Sequence, residues 1–164
     1  TKITMKKFII QSALLIIVIG AGIFFYKSPA TLSIPFLPQP PKQTELKISN
    51  TVIKVEIADT QAKRSRGLGG RAGLASDSGM LFVFDKPDKY PFWMKGLSFP
   101  LDFIWIKGTE VIDILENIQP PVPNTPDSSL PVYSAKTEAD QVLEVNGGIV
   151  SVHNIKIGDK IEIK

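Results

Sequence analysis

Between Gly79 and Ile106 the chain reads GMLFVFDKPDKYPFWMKGLSFPLDFIWI, three apolar runs separated by two breaks rich in charge, Gly and Pro. Both tryptophans and five of the nine phenylalanines lie in this one stretch. Each aromatic side chain buries roughly 150–250 Å² when packed, so the core of the domain has to be assembled around it. GMLFVF is short, uncharged and flanked by turn residues, which predicts a buried strand. YPFWMK alternates less cleanly, and Pro91 marks a bend or an edge position. LDFIWI sets Asp102 on the face opposite Leu101 and Phe103, together with Ile104 and Ile106. A carboxylate in such apolar company needs a partner or a wet cleft. We read the three runs as three strands of one β core, with charge concentrated at the joints Trp93 to Leu97 and Pro100 to Asp102.

The rest of the chain divides around that core. Phe8 to Tyr26 carries no charge, and as a helix it would span roughly 28 Å, the thickness of a bilayer's hydrocarbon core. Residues 8–26 are expected to form a single transmembrane signal anchor behind a basic flank, 1–7. The lysines before the span place the amino terminus in the cytoplasm and the main domain outside, periplasmic or extracellular. A cleavable signal peptide ending near Ser28-Pro29-Ala30 is the competing reading, although the apolar run exceeds the roughly 7–15 residues of a signal h-region. Residues 27–44 include five prolines between Pro29 and Lys42 and read as a semi-rigid extended spacer. The extracytoplasmic β domain is expected over 45–164.

Within the domain, ELKIS and TVIKVEIA alternate around Asn50 as a hairpin. Asp59 or Thr60 can cap a two-turn helix through QAKRSR, which Gly67 can stop. EVIDILENI and QVLEVN read as strands. Gln119 to Asp140 is a long Pro-rich loop, of the kind that is usually functional or mobile. The chain ends with a helical turn near Val150, a Gly158-Asp159 turn and a last strand.

Charge and composition exclude several functions. The net charge of +3 belongs to the membrane flank; from Lys42 onward 15 basic residues face 16 acidic ones, a net of about −1. Nothing in that balance points to nucleic acid. With no cysteine there is no disulfide, thiolate metal site or Cys nucleophile. P-loop, GxSxG, GxGxxG and calcium-loop patterns are absent. His153 is the only histidine and has no placed serine to form a triad; no cofactor or metal is expected.

Order and spacing carry a resemblance. With RSRGL, GMLFVF, FWMK, PLDFIWI, VLEVNGG and IKIGDKI in succession, Leu46 to Lys164 resembles the domain-of-unknown-function family 192. The resemblance implies a compact, mainly β domain of sandwich or jelly-roll type with one or two short helices, often exported or membrane-tethered in prokaryotes, and no established activity. The family typically has Asn-Thr after FWMK, where this chain has Gly96-Leu97, and Met-x-Arg after Gly-Leu, where it has Gly69-Gly70-Arg71.

The leading expectation is non-catalytic binding of a small polar or anionic ligand, an envelope glycan or an envelope partner. Arg66, Arg71 and Lys95 would hold an anion, Trp93 would offer a stacking face, and Asp102 would orient them. Each has a plainer reading: a solvated helix face for the arginines, core packing for Trp93 and Met94, and for Asp102 an ion pair with Lys95 or Arg71 or a turn-capping role. The alternative is a carbohydrate-active enzyme of the envelope pairing Asp102 with Glu116 or Asp113 at the 5–9.5 Å such chemistry requires, roughly.

Overall fold

The computed structural model describes residues 43–164. The basic flank, the span expected over 8–26 and the spacer up to residue 42 lie outside the described residues. Among the described residues, no helix is long and apolar enough to cross a membrane.

Seven strands form one sheet: β1 Gln43–Ile48, β2 Thr51–Ala58, β3 Ser78–Asp88, β4 Leu101–Lys107, β5 Glu110–Ile118, β6 Ala139–Asn146 and β7 Ile161–Ile163, in the spatial order β5-β4-β6-β3-β2-β1-β7. Two short helices, α1 Gln61–Arg66 and α2 Ile149–His153, punctuate it. Neighbouring strands pair antiparallel except β2 and β3, which run parallel. A parallel pair needs a crossover connection, and α1 with the Gly-rich loop after it supplies one.

The sheet curls until its ends meet. Glu110 at the start of β5 bridges Lys160 just before β7, and Val111, Gly158 and Ile161 add backbone hydrogen bonds of 2.8–2.9 Å across the same seam. Ile48, Val55, Leu81, Ile104, Ile106, Val111 and Leu143 fill the inner face, closed by Val150 and Ile155 from α2 and the segment after it. The outer face carries Met80, Phe82, Leu101, Phe103, Trp105 and Val142, covered by Leu68, Phe92, Met94, Leu97 and Ala135 from loops. This explains why every residue from Leu101 to Ile106 is buried. The expected two-sheet sandwich is therefore corrected to a single curled sheet: one face packs on itself, and loops take the place of the second sheet.

The second apolar run is corrected as well. Tyr90 to Lys95 is not a strand; only Phe92 pairs, with Tyr133 from the long loop, through two 2.8 Å backbone bonds. Pro91 has no N–H to offer a ladder. The Gln119–Asp140 segment is thus fastened over the outer face at its Tyr133 end, and it contains a 3-10 turn at Asp127–Ser129. The opening hairpin, the strands over EVIDILENI and QVLEVN, the helical turn near Val150 and the last strand all form as expected. Thr60 caps α1 by accepting from the Lys63 N–H, and Gly67 ends it.

Candidate functional site

The loops do not cover the outer face completely. Between α1 with its Gly-rich loop on one side and Tyr90–Leu97 on the other, a cleft of about 410 Å³ opens down to Phe82, Phe84 and Glu144. Small-molecule sites commonly occupy roughly 300–1,000 Å³. The two walls are tied at one end, where the Gly70 N–H donates to the Gly96 carbonyl at 2.8 Å. That approach is close: a Cβ at Gly69 would stand 3.2 Å from the Lys95 carbonyl oxygen.

Because Phe92 is pinned to Tyr133, its neighbours alternate in and out. Phe92 and Met94 are buried, whereas Trp93 is 51% exposed. Lys95 Nζ sits 5.6 Å from the centre of the Trp93 ring and pairs with Asp127 at 2.5 Å. On the opposite wall Arg64 donates to the carbonyls of Asp59 and Val83, 2.8 Å each, with its guanidinium 5.1 Å from the centre of the Phe84 ring. Phe84 stacks on Tyr90 at 3.6 Å between centres. Arg66 is exposed, and among the described residues no hydrogen bond or ion pair occupies it.

Glu144 forms part of the cleft floor. It lies on β6 opposite Met80 of β3 and Phe103 of β4, is 4% exposed, and makes no side-chain hydrogen bond among the described residues. Burial alone pushes its carboxyl up to about 8, so at neutral pH it is mainly protonated and able to donate. The sequence marks VLEVN only as a strand and does not single out Glu144; the one signal in it is an acid on the same face as the buried Val142.

Asp102 does something else. Its side chain is fully buried and accepts three backbone N–H groups, from Asn117 at 2.7 Å, Gly148 at 3.0 Å and Val150 at 2.8 Å. It joins β4 to the end of β5 and to the first turn of α2, where a carboxylate also complements the helix dipole. Gly147 packs so tightly here that a Cβ would meet the Pro100 side chain at 2.9 Å. The capping reading of Asp102 is correct, but neither Lys95 nor Arg71 is its partner. Arg71 lies outside the cleft, clamped on Glu56 by two hydrogen bonds of 2.5 and 2.7 Å. Of the five expected residues, Arg66, Trp93 and Lys95 line the cleft, and Arg71 and Asp102 lie outside it.

The acid pair expected for glycosidic chemistry also fails at Asp102, which faces no groove. Asp113 is equally committed, accepting from the backbone N–H groups of Ile114 and Lys136 and from Lys136 Nζ.

A family model for domain of unknown function 192, DUF192, described as an uncharacterized ACR, matches residues 44–163. The chain belongs to the DUF192 family. No curated protein matches it. Two solved structures resemble the DUF192 domain. One is a "putative transcription regulator" from Sinorhizobium meliloti 1021, 26% identical, with a TM-score of 0.68 over 77% of this chain and 98% of that one. The other is a protein of unknown function from Novosphingobium aromaticivorans DSM 12444, 28% identical, with a TM-score of 0.67 over 82% of this chain and 89% of that one.

Gly96 has a φ of 69°, a left-handed conformation open to Gly and, among other residues, to Asn.

Proposed function

We propose that this DUF192 domain is a non-catalytic binding module for a small anionic ligand, held outside the cytoplasm by the amino-terminal anchor. One observation carries the reading: Arg66, Trp93 and Lys95 line one open cleft, with the carboxyl-bearing Glu144 at its floor. Arg66 supplies a free planar fork of donors for a carboxylate or phosphate. Trp93 supplies a stacking face, and Lys95 a second charge that can leave Asp127. The regulator name of the Sinorhizobium protein is not carried over, since 15 basic against 16 acidic residues from Lys42 onward make no electrostatic footprint for nucleic acid.

The test is a screen of anionic metabolites and acidic glycans against the full chain in detergent micelles, read by tryptophan fluorescence. Trp93 is exposed and Trp105 is buried, so quenching reports on the cleft. A binder should lose about tenfold or more in affinity in Arg66→Ala, as expected for one charge-assisted hydrogen bond. Binders indifferent to both Arg66→Ala and Trp93→Ala would place the site elsewhere. Protease protection in sealed cells, with the domain digested from outside, tests the anchor and its orientation.

A further inference from the structure

The floor of the cleft asks for more than an anion. Glu144 is more than nine-tenths buried as a residue and lines the cleft; no group among the described residues hydrogen-bonds its side chain, so its carboxyl is open to whatever enters the cleft, and a donor or cation there would meet it largely out of bulk water. Rings of Phe82, Phe84, Tyr90, Phe92 and Trp93 line the same space, and aromatic faces attract cations. Two of them already do so here, Phe84 with Arg64 and Trp93 with Lys95. A simple amine entering past Arg66 and Lys95 would be repelled, unless it brought an anion of its own.

We propose that the occupant is two-ended: an ammonium group seated on Glu144, an apolar stem along the aromatic walls, and an anionic group at the rim with Arg66. The chemical class is a zwitterion with separated charges, of which an ω-amino acid is the simplest member. This rests on the anion-binding reading above and adds the second end.

Seating the ammonium has a proton balance. The neutral Glu144 carboxyl gives its proton to solvent and the resulting carboxylate pairs with the ammonium; no other bond changes. The charged and titratable groups facing it are Arg64 and Arg66 from α1 and Lys95 and Tyr90 from the opposite wall. Its neighbours across the sheet, Met80 and Phe103, carry no charge. Binding is therefore favoured by rising pH until Glu144 ionises by itself at about 8.

The experiment is titration calorimetry of the full chain with 6-aminohexanoate, and with hexanoate and hexylamine as one-ended controls. Two buffers of different ionisation enthalpy are used at about pH 6.5 and 8.5. The expected result is about tenfold tighter binding of 6-aminohexanoate than of either control. About one proton should be released per ligand at the lower pH, with an affinity gain of more than about tenfold at the higher one, from linkage. In Glu144→Gln the pH dependence and the preference over hexanoate should both vanish. Wild-type proton release tests the seat even if that variant misfolds. If hexanoate binds as tightly as 6-aminohexanoate with no proton released, the ammonium seat is wrong and the anion site stands. If hexylamine matches 6-aminohexanoate, the two-ended ligand is wrong. If none of the three binds, the two-ended ligand is wrong, and the anion reading is decided by the screen of anionic metabolites and glycans alone.

Discussion

Replacing Asp102 by Ala should remove the clamp that holds three separate chain segments together. The Asp102 carboxylate receives the N–H groups of Asn117, Gly148 and Val150. Val150 is 3% exposed, so its N–H would be orphaned, at a cost of about 1–3 kcal/mol. Asn117 is exposed and Gly148 half-buried; water can replace their acceptor, leaving about 1 kcal/mol each for the lost charge-assisted bonds. The total is about 3–5 kcal/mol, a large share of the 5–15 kcal/mol or so that stabilises a typical domain. With a urea m-value of roughly 1–3 kcal/mol/M, the midpoint should fall by about 2 M. Urea unfolding of the full chain, followed by the fluorescence of buried Trp105, measures it. Asp102→Asn should cost less, since its carbonyl oxygen can still serve Asn117 and Gly148 while its NH2 opposes the Val150 N–H. Neither change should alter ligand affinity in the folded protein, because Asp102 lies outside the cleft. A midpoint within about 0.3 M of wild type for Asp102→Ala would refute the clamp.

Three further outcomes follow from the same structure. Arg71→Ala should destabilise by about 1–3 kcal/mol, since it leaves the largely buried Glu56 carboxylate without its bidentate partner, and a binding titration should show no change in ligand affinity. Gly79→Ala should cost about 2–3 kcal/mol or prevent folding in a thermal melt: the added Cβ would lie 2.8 Å from the Glu144 carbonyl oxygen in the neighbouring strand, and overpacking at such a place is expensive. The buried Glu144 makes stability pH-dependent. Burial holds its folded-state pKa at about 8, above the ordinary carboxyl value of 4.5, so between those limits the folded state holds the extra proton. Stability should be highest at the acid end of that window, fall as pH rises through it, and level off above about 8, by a few kcal/mol in all. Glu144→Gln should flatten that slope in urea titrations; an unchanged slope would mean another group sets it.

Much of the local structure could be read from residues alone. The hairpin of β1 and β2, the cap and stop of α1, the strands β5 and β6, the turn at Gly158 and the closing strand each depend on neighbours a few positions away. Part of the site was legible for the same reason: Trp93 and Lys95 share one short segment, and Arg66 follows from α1. Asp102 was recognisable as a carboxylate needing partners, but those partners lie 15 to 48 residues away. No local pattern names them.

What remained hidden was decided by long-range pairing. YPFWMK has strand-like chemistry, yet Pro91 lacks a donor, and Phe92 finds its one partner at Tyr133 across the long loop. That single bridge sends Trp93 outward and so creates a wall of the cleft. Apolar residues on both faces of β4 fit a sandwich or a curled sheet equally well, and the Glu110–Lys160 seam selected the second. Glu144 shows the division most sharply. Its sequence position says only that a strand carries an acid, whereas its burial against Met80 and Phe103, and the opening above it, exist because β3, β4 and β6 lie side by side. Local periodicity sets which way a side chain points from its own strand; what it meets there depends on which distant segments close over it.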